Sequence, residues 1–164
     1  MTKKREIYHC LTCGNIVEVL NEGGGTLVCC GKPMELLEGN TTDASAEKHV
    51  PMVEAIEGGY KVTIGSALHP MTSGHYIQWI ELLTEDRVMR KELTPDSEPL
   101  AVFMTCEKIV GARAYCNLHG LWKKGDIMTG IALQHHAGGR FFYAPTLFPL
   151  PPPEAKYLIT NTPS

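Results

Sequence analysis

Two stretches, Tyr60-Lys-Val-Thr-Ile-Gly-Ser66 and Tyr76-Ile-Gln-Trp-Ile-Glu-Leu-Leu83, decide the fold. In the first, Val62 and Ile64 alternate with Lys61 and Thr63; in the second, Ile77 and Trp79 alternate with Tyr76 and Gln78. A period of two sends successive side chains to opposite faces, so each stretch predicts a strand with one buried face and one wet face. Working outward, Val50–Ile56, Arg87–Leu93, Leu100–Thr105 and Ile109–Tyr115 also read as strands. Turn formers separate them: Gly58-Gly59, His69-Pro70, Glu85-Asp86 and Thr94-Pro-Asp-Ser-Glu-Pro99. Short strands with regular turn signals predict an all-β sandwich over residues 49–124. No convincing amphipathic helix and no internal repeat appears.

The bulk properties are those of a globular protein: 164 residues, 43% hydrophobic and 20% charged. A net charge of -3 gives no reason to expect a nucleic-acid partner. No apolar run is long enough to span a membrane. Met1-Thr-Lys-Lys-Arg5 could open a signal peptide, but no apolar core follows it, so a cytoplasmic location is expected. There thiols stay reduced, and six cysteines point to metal or catalysis rather than disulfides. Cys106, in the apolar stretch that begins at Ala101, reads as an ordinary buried thiol.

Four cysteines cluster near the N-terminus: Cys10-Leu-Thr-Cys13, then the adjacent pair Cys29-Cys30. Adjacent side chains on extended backbone point apart, so both thiolates reach one ion only if the chain folds sharply, and Gly31 supplies the freedom for that. The expected product is a strained four-thiolate site, suited to redox iron at least as well as to structural zinc. Glu6–His9, Ile16–Leu20 and Thr26–Val28 read as short strands of a small domain over residues 1–37. So short a segment, below roughly 40 residues, usually needs a metal, a disulfide or a partner. Residues 38–48 read as a linker leading to Glu47-Lys48-His49.

Histidines form a second constellation. His49, His69, His75 and His119 fall at junctions of the β segment, and Cys116 precedes His119 by three residues. A Cys-x-x-His spacing lets one tight loop offer a thiolate and an imidazole to the same ion. Such a set suits iron, copper or zinc. Structural zinc usually closes at four ligands, whereas five with an open sixth position suit a redox metal that binds a small molecule.

The chain resembles the desulfoferrodoxins, the two-iron superoxide reductases. The stretches that carry the resemblance are Tyr8–Leu20, Leu27–Met34, Glu47–Pro51, Gly65–Met71, His75–Leu82 and Ala114–Gly120. It implies a desulforedoxin-like domain in which Cys10, Cys13, Cys29 and Cys30 hold one iron, followed by an immunoglobulin-like sandwich. It implies that His49, His69, His75, His119 and Cys116 hold a second iron, with the thiolate axial. Glu47 and Lys48 match the acidic and basic residues of a loop over the open face. The implied activity is one-electron reduction of superoxide to hydrogen peroxide, with a rubredoxin-type electron donor and a homodimeric assembly.

The resemblance ends near Trp122-Lys-Lys124. Residues 125–164, with Gly138-Gly139 and Pro151-Pro-Pro153, read as a Pro-rich, poorly ordered C-terminal extension in which His135-His136 is incidental. Two rivals stand beside the main reading. A zinc-stapled binding module would make both clusters structural. A non-haem iron oxygenase would use two histidines and one carboxylate, with more open positions than five protein ligands leave.

Overall fold

The computed structural model describes residues 1–42 and 49–124. Among them are twelve strands and no helix. The N-terminal segment contributes β1 (Ile7–His9), β2 (Ile16–Glu18), β3 (Val28–Cys29), β4 (Lys32–Pro33) and β5 (Glu35–Leu36). They form a three-stranded sheet in the order β2-β1-β5 and a β3-β4 hairpin. The sandwich comprises β6 (Pro51–Ile56), β7 (Gly59–Ile64), β8 (Ile77–Thr84), β9 (Val88–Glu92), β10 (Leu100–Met104), β11 (Ile109–Cys116) and β12 (Gly120–Lys124). Its sheets run β10-β7-β6 and β12-β11-β8-β9, with every pairing antiparallel. The expected strands are present with shifted ends. The short β4 and β5, and β12 after the last turn, escaped the alternation signal.

The core lies between the two sheets. Tyr60, Val62 and Ile64 of β7, Ala101 and Phe103 of β10, Ile80 and Leu82 of β8, and Ala112 and Ala114 of β11 are all buried there. Gly59 is required by close approach: a Cβ would stand 2.2 Å from the Phe103 carbonyl oxygen of β10.

The expected alternation holds for β7, where Lys61 and Thr63 are half-buried, but not for β8: a bulge at Gln78 leaves Ile77 in the core between the sheets and puts Trp79, expected on the same face, on the other. Its outer face, Trp79 and Glu81, is also buried. The covering layer is the N-terminal segment. Ile7 packs with Trp79, Tyr115 and Leu121, and Ile16 and Leu37 join at the edge. Trp79 and Tyr115, cross-strand neighbours, stack at 5.7 Å and 15°. Glu81 and Arg113 face each other in the next outward-facing pair.

Glu81 is fully buried and is satisfied by two guanidinium groups: Arg113 Nε donates to one oxygen and Arg90 Nε to the other. Glu18, from β2, closes the network, accepting from Arg113 Nη2 at 3.0 Å and Arg90 Nη2 at 2.7 Å. Burial works against the Arg90 charge, but Glu81 and Glu18 outweigh it and hold the guanidinium above its usual range. Arg113 Nη1 also donates to the Arg5 carbonyl, and Arg5 donates to the carbonyls of Thr84 and Glu85. Two carboxylates and two guanidinium groups thus stitch the N-terminal segment to the sandwich.

Cys106 is exposed, contrary to the sequence reading. It continues the outward register of Val102 and Met104 past the end of β10, so the apolar stretch before it does not enclose it.

Removing one partner of a buried pair leaves an uncompensated charge, at a cost of about 3–5 kcal/mol. Glu81→Leu should lose stability of that order in urea denaturation. Adding Arg113→Met should recover part of the loss, giving a clearly non-additive double-mutant cycle.

Candidate functional site

The Cys10–Cys13 loop is tightened by Cys10 N–H donating to Asn15 O (2.8 Å) and Gly14 N–H donating to Cys10 O (2.8 Å). The adjacent cysteines converge by a backbone device. Cys30 has φ +51° and Gly31 φ +72°. They form the two-residue turn between β3 and β4, where Cys29 pairs with Lys32. Positive φ at both central residues is the type I′ signature, the turn whose twist suits a tight hairpin. The sharp fold expected at Gly31 therefore begins one residue earlier, at Cys30.

The four sulfurs lie within 4.8 Å of one another, with Cys13 to Cys29 at 3.6 Å and Cys29 to Cys30 at 3.9 Å. Backbone N–H groups of Cys13 and Thr12 hold the Cys10 thiol down to about 6. The neighbouring sulfurs, Cys13 first, push Cys30 up to about 12. Four sulfurs this close make a soft, all-thiolate donor set that fits iron.

The second cluster is assembled from three places in the sandwich. His49 precedes β6, His69 and His75 lie in the β7–β8 connection, and Cys116 ends β11 with His119 in the turn to β12. Thr72 and His75 exchange backbone hydrogen bonds of 2.9 and 3.1 Å, closing a small turn. His69 Nδ1 is 2.6 Å from Pro70 O, which fixes that ring. The imidazoles stand at the corners of a near-square. His49–His69, His69–His75, His75–His119 and His119–His49 have centroid separations of 4.6, 4.5, 4.8 and 4.7 Å, and the His49–His75 diagonal is 6.1 Å. Rings adjacent around the square are inclined at 70° to 83°. Cys116 Sγ lies 3.7 Å from His119 Nδ1. One donor atom from each of the five residues falls within 4.8 Å of all the others.

This cluster has a buried side and an open one. Cys116 is fully buried and His49 and His69 nearly so, whereas His75 is half-buried and His119 exposed. Burial, and then the charge of Cys116, hold the Tyr115 phenol above its usual range. Four imidazoles plus one thiolate make five donors of mixed softness, a set that fits iron one short of six-coordination.

Of the residues picked from sequence, the structure brings all nine proposed ligands into these two groups. Glu47 and Lys48, and the whole extension 125–164, lie outside the described residues. Two side chains were missed. Trp122 stacks on His49 at 4.6 Å and 17° and donates from Nε1 to the His119 carbonyl at 3.1 Å. Asn117 bonds to both backbone neighbours of His75. Only its place inside Cys116-Asn-Leu-His119 could have signalled it.

An all-β protein with a four-cysteine module on a sandwich that carries four histidines and a cysteine is a non-haem metalloprotein of two centres. The model of the desulfoferrodoxin family matches residues 41–125, and that of the desulfoferrodoxin N-terminal domain matches residues 2–37. The chain belongs to the desulfoferrodoxin family. It is 54% identical to a desulfoferrodoxin of Desulfarculus baarsii over 123 residues, covering 75% of this chain and 98% of the relative. It is 53% identical to the desulfoferrodoxin of Nitratidesulfovibrio vulgaris over 123 residues, with the same coverage. Among solved structures it resembles the superoxide reductase of Treponema pallidum, with a TM-score of 0.62 and 30% identity over 72% of this chain and 95% of that one.

The left-handed turn gives a contrast between substitutions. Space is open at Gly31, so backbone strain alone decides the outcome. Gly31→Val should deplete metal from the four-cysteine centre and leave the histidine centre loaded. Gly31→Asn should retain both, because asparagine tolerates positive φ. Metal content per chain and the visible spectrum read out the difference.

Proposed function

We propose that this protein reduces superoxide to hydrogen peroxide at the five-residue centre. The near-square of four imidazoles joined by one buried thiolate carries the reading. Similarity to the superoxide reductase of Treponema pallidum supports it. When bound, ferrous iron supplies the single electron, and two protons complete the product.

His49, His69, His75 and His119 would hold the metal in place with neutral donors, and Cys116 with an anionic one. The buried Cys116 thiolate enriches the centre in electron density, which favours release of product. The open side, at His119 and His75, suits a small anion that arrives and leaves quickly. Lys48 directly precedes His49 in the chain, and we assign it the role of a cation that raises the encounter rate with the anionic substrate. We assign Lys48 the further task of holding the water that delivers a proton, and Glu47 would be a further residue able to hold the metal.

The reaction consumes an external electron each turn. A rubredoxin-type donor, a cytoplasmic location and a homodimer complete the proposal. The four-cysteine centre would either relay electrons or serve to stabilise the protein.

Stopped-flow mixing of the reduced, iron-loaded protein with superoxide tests the site. Cys116→Ser should lose the thiolate-to-iron charge-transfer band and turnover. Lys48→Ala should slow encounter by roughly tenfold and flatten its dependence on ionic strength. Wild-type rates in both variants would sink the mechanism.

A further inference from the structure

The connection between the two ligand-bearing loops has an unusual form. Pairing of β11 with β8 is irregular between Tyr115 and Cys116, so that Cys116 stands opposite Ile77. One residue on, Asn117 N–H donates to Tyr76 O at 3.1 Å, as a sheet ladder would require. The return bond is different. Tyr76 N–H donates to the side-chain Oδ1 of Asn117 at 2.8 Å. The side-chain amide thus takes the place of the residue's own main-chain carbonyl, a substitution that asparagine is built to make. The main chain of Asn117 need not stay in the ladder and can turn towards His119. The other half of the amide is also used: Nδ2 donates to Gly74 O at 2.9 Å.

Gly74 and Tyr76 flank His75, and Asn117 follows Cys116. We propose that Asn117 is a positioning residue that clamps the His75 loop to the Cys116–His119 turn and so fixes the imidazole–thiolate geometry of the centre. The proposal rests on the five-residue centre being an iron site. Its chemistry demands an acceptor and a donor on one short planar group. Aspartate lacks the donor, serine lacks the second arm, and glutamine is longer by one methylene. Asn117 acts through His75 and Cys116; it is not a catalytic residue. Its Oδ1 lies 3.9 Å from Cys116 Sγ, so the clamp also sets what stands beside the sulfur.

The test uses full-length protein loaded with ferrous iron and then oxidised. Substitution of groups that orient metal ligands typically costs about 10–100-fold in metal affinity. Asn117→Ala should shift or broaden the thiolate-to-ferric charge-transfer band, alter the ferric paramagnetic resonance signal, and release iron to a chelator at least about tenfold faster. The four-cysteine spectrum should be unchanged, which a general loss of structure would not spare. The near-isosteric Asn117→Asp keeps the acceptor and loses the donor. It should shift the band as well, and it decides the matter if the alanine variant does not fold. A wild-type band with iron release within about twofold of wild type, in whichever variant folds, overturns the clamp alone. A wild-type protein that shows no thiolate band overturns the iron–thiolate reading and this proposal with it.

Discussion

Between Ile77 and Thr84, β8 runs antiparallel to β11, with Trp79 opposite Tyr115 and Glu81 opposite Arg113. This pair is loaded on both faces. Inward, Ile80, Leu82, Ala112 and Ala114 close the sandwich core. Outward, Trp79 and Tyr115 receive Ile7, while Glu81 and Arg113 receive Glu18. At one end the same two strands place His75 and Cys116 side by side. A sheet buried on both faces has little freedom to slip, because a one-residue shift would exchange every inward side chain for an outward one. The catalytic ligands therefore inherit their register from packing that contains no metal.

The two metal groups are held by different means. The four cysteines converge through local turns, the Cys10–Cys13 loop and the Cys30-Gly31 hairpin, within twenty-one residues of chain. The histidine group draws on His49 through His119 and depends on the whole sandwich. The N-terminal segment is short enough to suggest that only metal holds it. Burial of Ile7 and the Glu18 ion pairs give it a second anchor on the sandwich. Buried ion pairs contribute less to net stability than their number suggests, since desolvation offsets much of their attraction. Their consequence here is orientation: Glu18 fits its two guanidinium partners in one docking geometry.

Much of this was legible in the chain. Alternation of Val62 and Ile64 marks β7, and the apolar stretch Tyr76–Leu83 marks β8, although Ile77 and Trp79 end on opposite faces. The cysteine spacing and the placement of histidines at strand junctions mark both donor sets. What remained hidden has physical causes. Nothing in the strand pattern sets Glu81 and Arg113 apart from other charged residues, and their burial depends on docking of the N-terminal segment. Cys106 sits in apolar surroundings along the chain, yet the register of β10 turns it outward. The left-handed backbone of Cys30 is disguised because a non-glycine residue carries it. Asn117 and Trp122 touch ligand residues, but polar and aromatic neighbours of a motif carry no periodic signal.

The central claim is that the five-residue centre passes one electron to superoxide rather than dismuting it. The most direct measurement is the hydrogen peroxide formed per superoxide consumed by the reduced, iron-loaded protein, with both counted in a single turnover. One peroxide per superoxide is the expected result. One peroxide per two superoxides, with oxygen released, would contradict it.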